Sequence, residues 1–108
     1  MKGVPMKMYP ELAVSLGALE ENARSLKTCC DAAGVEVIPV LKGLRSAPEV
    51  VRACAKGGLV HVADSRIENL ARLKAGHGGA PRSVLIRPPM AGEADAAVEA
   101  CDCIFVSE

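Results

Sequence analysis

Aromatic residues are almost missing from this sequence. Its 108 residues include one Tyr, one Phe and no Trp. The core therefore cannot be built around large rings and must be packed from Val, Leu, Ile, Ala and Cys. That is feasible because half of the chain is hydrophobic. An excess of either charge is also missing, with 13 basic and 13 acidic residues. Such a balance argues against a nucleic-acid partner or a charged membrane surface. No apolar run approaches the ~20 residues that a membrane-spanning helix needs. The opening MKGVPMKMYP lacks the apolar centre of a signal peptide. A soluble cytoplasmic protein is the expectation these absences leave. The five cysteines form no C-x-x-C pair, and no histidine lies near enough to complete a zinc cluster. No metal site is expected, and the cysteines read as small core residues of a reduced protein. The Gly-rich stretch from Gly76 to Gly79 lacks the G-x-G-x-x-G frame and opens no helix after a strand, which sets dinucleotide binding aside.

What is present is an alternation. Val35 to Leu41 is a β-branched run, the composition of a strand buried on both faces in a parallel sheet. Further short apolar runs follow, so that strands are expected near 36–41, 59–63, 83–88 and 103–106. Helices are expected between them, near 17–33, 47–57, 65–75 and 92–100. In the first, Leu16, Leu19, Ala23, Leu26, Cys30 and Ala33 recur at helical spacing, and Gly34 follows as a stop. Ser46-Ala47-Pro48-Glu49 and Ser65-Arg66-Ile67-Glu68 both have the form of a capping box. A short opening strand is expected at 11–16, apart from the core strands. Strands separated by helices imply right-handed βαβ units and an α/β fold with a parallel sheet. Four units are the first half of a (β/α)8 TIM-type barrel, and the chain stops at Ser107-Glu108, where another loop and helix would begin. The expectation is the front half of a longer protein; a complete flavodoxin-like domain would want a closing helix.

Parallel strands carry their carboxyl ends to one rim, where α/β sheets bind ligands. Lys42 ends the first core strand, Asp64 follows the second, Arg87 ends the third, and Ser107 and Glu108 follow the fourth. A lysine at such a rim, if partly desolvated, loses its proton near neutral pH and acts as a nucleophile or base; the alternative is a lysine that snorkels to solvent. Helix starts at Ser46 and Ser65 aim N–H groups at the rim and favour an anion. Asp64 serves equally well as a helix cap, Glu68 as the capping partner of Ser65, and Arg87 as a snorkelling strand end or an anion contact. His61, within a strand, and His77, in the Gly-rich loop, have no partner that suggests catalysis.

The strand VIPVLKG, the stretch VADSRIENLARL, the strand VLIRPPM with Glu93 behind it and the closing FVSE resemble the alanine/ornithine racemase family, as does the opening PELAVSLGALEENARSL. The similarity runs from about Tyr9 to Glu108, and ADSRIENL is its most specific part. The resemblance implies a barrel of the fold type III class that uses pyridoxal 5'-phosphate. In it, Lys42 matches the lysine that forms the aldimine with the cofactor, and Asp64, Ser65 and Arg87 match rim positions near it. It further implies a homodimer, an amino-acid substrate of the alanine or ornithine kind, and two-base proton transfer, with the second base and the phosphate-gripping loops beyond residue 108. Leu41 stands where many members have a small hydroxyl residue, and no tyrosine follows the lysine, which leaves the substrate open. The competing expectations are a non-catalytic pyridoxal-phosphate-binding protein of the same barrel type and a half-barrel that binds no cofactor.

Overall fold

The computed structural model describes residues 13–76 and 81–107. His77 and Glu108 lie outside these, as do residues 11 and 12 of the expected opening strand. The rest of that stretch, from Ala13 to Ser15, has no regular structure, and Leu16 already belongs to a helix. Helix α1 spans Leu16–Ala32, and Ser15 caps it by accepting from the Ala18 amide at 3.2 Å. Helix α2 spans Pro48–Lys56, with its proline in the first turn, where the missing N–H costs nothing. Strand β1 is His61–Asp64, helix α3 is Ile67–Gly76, and strand β2 is Arg82–Leu85. Helix α4, Ala94–Ala100, follows a 3-10 turn at Ala91–Glu93 and leads into strand β3, Cys103–Ile104.

The three strands form one parallel sheet in chain order, β1-β2-β3. The expected first strand, 36–41, contributes one parallel bridge, Val40 to Ala63. Pro39 explains part of the shortfall, because it offers a carbonyl but no N–H to a ladder. Its oxygen accepts from Ala63 N at 2.9 Å, and Leu41 N donates to Ala63 O at 3.0 Å, so that pairing is confined to the residues around Val40.

Pleating divides the sheet residues between two faces. Leu41, Val62 and Leu85 face the helices and join Val50, Val51, Cys54, Ile67, Leu70, Leu73 and Ala97 in the core. The neighbouring register row, Val40, Ala63, Val84 and Cys103, crosses the opposite face. On this second face Val40 and Phe105 are 47% and 54% exposed while Ala63 and Val84 between them are buried, so it is open at its two ends. Of the cysteines, Cys54 is buried and Cys30 and Cys101 are half-buried, but Cys29 and Cys103 are exposed, so the core reading fails for those two. All five are free thiols, and burial pushes the Cys54 thiol up, which makes it less reactive.

Helices α1 and α2 pack closely at Gly57, just beyond the end of α2. A Cβ added there would meet Glu20 O at 2.5 Å, Ala23 Cβ at 2.6 Å and Arg24 N at 2.8 Å. Two of these are backbone atoms of α1, and a helix backbone cannot yield as a flexible side chain does. Gly57→Ala is expected to force α1 away from α2 and to destabilise the protein by about 1–3 kcal/mol. Urea unfolding checks this: a midpoint equal to that of the wild type would mean that the helices do not meet at Gly57.

Candidate active site at the carboxyl edge of the sheet

Lys42 opens a 3-10 turn, Lys42–Leu44, directly after the bridge at Val40. Leu41 is buried, and its carbonyl accepts from both Leu44 N and Ser46 N, each at 3.0 Å. The turn closes through Arg45 and Ser46, both in the left-handed region with φ of 57° and 48°. Two adjacent non-glycine residues in that region cost on the order of 1–2 kcal/mol each, so the turn needs a compensating contact.

Asp64 supplies it. This residue is fully buried, as is Ser46, whose hydroxyl donates to Asp64 Oδ2 at 2.6 Å. Asn69 Nδ2 donates to the same oxygen at 3.0 Å, and Arg66 N donates to Oδ1 at 2.8 Å. Hydrogen bonds to a charged acceptor contribute roughly 1.5–3 kcal/mol each, enough to offset the strain. The capping boxes expected at Ser46 and Ser65 are corrected here. Ala47 is the N-cap of α2 and no side chain caps it, because Ser46 has turned inward. The amide that opens α3 is held by Asp64, with the helix beginning at Ile67. Asp64 is enclosed, and the hydrogen bonds it accepts come from Ser46, Arg66 and Asn69.

Ser65 and Arg87 stand on the same edge. Arg87 Nε donates to Ser65 O at 2.7 Å, and its Nη1 and Nη2 reach Glu93 Oε1 and Oε2 at 2.9 and 3.2 Å. This two-pronged geometry matches guanidinium to carboxylate. Glu93 Oε1 also accepts from Met90 N at 3.0 Å. The end of β1, the end of β2 and the start of the 3-10 turn before α4 are thereby tied together. Lys42 is exposed, so the described residues do not supply the desolvation expected for its amine. Nor do they give it an ion-pair partner, whereas Lys27 is paired with Asp31 and Lys74 donates to Glu99 O. Two open grooves, of about 430 Å3 around His61 and about 540 Å3 between α3 and α4, lie away from this edge. His61 Nε2 is 3.3 Å from Glu36, and its Nδ1 is buried with no hydrogen-bond partner among the described residues, at the amino end of β1.

Sequence reasoning missed Asn69, Arg72 and the role of Glu93. A signal for Asn69 existed. It lies four residues before Leu73, hence on the buried stripe of α3 with Leu70, and a buried amide requires buried partners. Arg72 and Glu93 carry no such signal, since each is a charged residue on an otherwise ordinary helix start or face.

No family model matches the chain. It is 33% identical over 101 residues to the lysine racemase of Thermotoga maritima and 30% identical over 101 residues to the ornithine racemase of Acetoanaerobium sticklandii. The chain is similar to these two amino-acid racemases. Each match covers 94% of this chain, and the chain spans 28% of the length of each racemase. The resemblance read from the motifs is thus matched by curated racemases along nearly the whole sequence.

Hydrogen bonding from Arg87, and then from the Met90 amide, holds the Glu93 carboxyl below its ordinary range. A carboxyl lowered on folding stabilises the protein above its unfolded pKa, and that contribution is lost as pH falls through the lowered folded value. Thermal midpoints of the wild type and Glu93→Gln are expected to differ most near neutral pH and to converge in acid. Equal spacing at every pH would show that the pair is not formed.

Proposed function

We propose that this chain is part of a pyridoxal-phosphate-dependent amino-acid racemase and that Lys42 is the lysine that carries the cofactor. The observation that supports this most directly is an exposed lysine amine, unpaired among the described residues, at the carboxyl edge of a parallel sheet in a relative of two racemases. The donor set fits covalent attachment: Lys42 offers an amine, unpaired among the described residues, on a turn fixed from below by Asp64, and Arg87 is a cation on the same edge, its charge balanced by Glu93. When bound, the cofactor acts as an electron sink that acidifies the α-hydrogen of an amino acid. Lys42 Nζ, released when the substrate's amine takes its place, would then move a proton on one side of the α-carbon. Inversion needs a second base on the opposite side, and we place it outside these residues, as the family resemblance implies. Lysine and ornithine, the substrates named for the two relatives, are the first amino acids to test.

The parallel sheet with helices on one face suits the first half of a (β/α)8 barrel, whose remaining strands would cover Val40 and Phe105, exposed on the other face. A homodimer in the cytoplasm is the assembly the resemblance suggests. A cofactor-holding protein without turnover is the second reading, favoured by the presence of a single proton carrier, Lys42, among the described rim residues.

The test is titration of the intact protein with pyridoxal phosphate, borohydride reduction and peptide mapping. The expected outcome is a visible absorbance band and a modified Lys42. Lys42→Ala should remove both and leave unfolding unchanged, since the side chain fills no core space. Lys42→Arg should fail equally, because a guanidinium stays protonated. Modification of a different lysine would overturn the assignment, and a modified Lys42 without racemisation of lysine, ornithine or alanine would select the second reading.

A further inference from the structure

If Lys42 holds the cofactor, as proposed above, its backbone must be held still, and two residues of α3 with no role assigned so far are built to do this. Arg72 Nη2 donates to Arg45 O at 2.8 Å and to Asn69 Oδ1 at 2.9 Å. The first bond reaches across 27 positions of sequence to the left-handed turn three residues after the lysine. The second orients the Asn69 amide, whose nitrogen then donates to Asp64 Oδ2, the oxygen that also receives the Ser46 hydroxyl. We propose that Arg72 and Asn69 are positioning residues for Lys42, holding the Arg45-Ser46 turn in its left-handed conformation through one bond to the Arg45 carbonyl and one shared buried carboxylate.

The geometry has a consistent logic. Ahead of the lysine, Leu41 is fixed to β1 by its bond to Ala63 O. Behind it, the left-handed pair would relax to an ordinary conformation if left alone, because only glycine visits that region without strain. Asn69 is 3% exposed, and its amide is satisfied at both ends, so it cannot turn over without breaking both bonds. Arg72 is exposed and fills no core space, and both of its bonds leave from one terminal nitrogen, Nη2, whose two N–H groups point at the two acceptors.

The test uses the full-length protein and reads two quantities. The first is amide exchange across residues 42–46, where Ser46 N is held by Leu41 O. The second is the rate at which pyridoxal phosphate with cyanoborohydride modifies Lys42, measured against Lys56 in the same sample. Arg72→Ala is expected to raise exchange in this segment about tenfold while the peptides of β1 and β2 stay protected, and to slow modification of Lys42 several-fold relative to Lys56. Adding Arg45→Gly to Arg72→Ala should restore both, because glycine accepts the left-handed conformation without support. A role in general stability predicts no rescue. Unchanged exchange in the segment, an equal rise throughout the protein, or faster exchange with unchanged Lys42 modification would each overturn the proposal. The cofactor reading fails separately if, in the wild type, pyridoxal phosphate modifies Lys42 no faster than Lys56.

Discussion

The hydrogen bond from the Ser46 hydroxyl to the Asp64 carboxylate joins two parts of the chain that would otherwise be unrelated. On one side is a strained turn with an exposed lysine, and on the other is the last residue of a fully buried strand end. Remove that bond and the two left-handed residues lose the one buried side-chain contact that offsets their strain, leaving the Arg72 bond to the Arg45 carbonyl at the surface. Keep it and the lysine is gripped at both ends by two consecutive residues, Ala63 through its carbonyl and Asp64 through its side chain. A buried charge is costly unless its acceptor sites are filled. Here three donors fill them, and each comes from a segment that must be placed correctly: the lysine turn, the start of α3 and its first turn. The carboxylate thus enforces a local geometry as well as a stability.

The two charged groups of the edge divide the work. Asp64 acts below the surface and faces inward, while Arg87 acts at the surface, linking the Ser65 carbonyl to Glu93. Neither of them makes a hydrogen bond to Lys42, which leaves its amine without an ion-pair partner among the described residues.

Much of this was legible in the sequence, for physical reasons that differ by element. The parallel α/β order was readable because short apolar runs alternate with amphipathic helices, and the strands at 61–64 and 82–85 lie where that alternation puts them. The strand expected at 36–41 shrank to a bridge, since Pro39 withholds a donor and no further strand pairs with its free side among the described residues. Lys42 was picked out by its place after that run. Asp64 was legible as a possible cap of the next helix, but periodicity, which reports which face a residue shares, does not report that Ser46 abandons its cap to meet the carboxylate. Long-range bonds such as Arg72 to Arg45 are invisible to spacing rules, which see only neighbours on one element.

The account stands or falls on whether Ser46 and Asp64 act as a unit, and a double-mutant cycle in the intact protein measures that directly. Ser46→Ala, Asp64→Asn and the double variant would be unfolded in urea alongside the wild type. The account predicts a coupling of about 1–3 kcal/mol, the range of a buried bond to a charged acceptor. Additivity within about 0.5 kcal/mol, the behaviour of independent sites, would show that the lysine turn does not depend on Asp64.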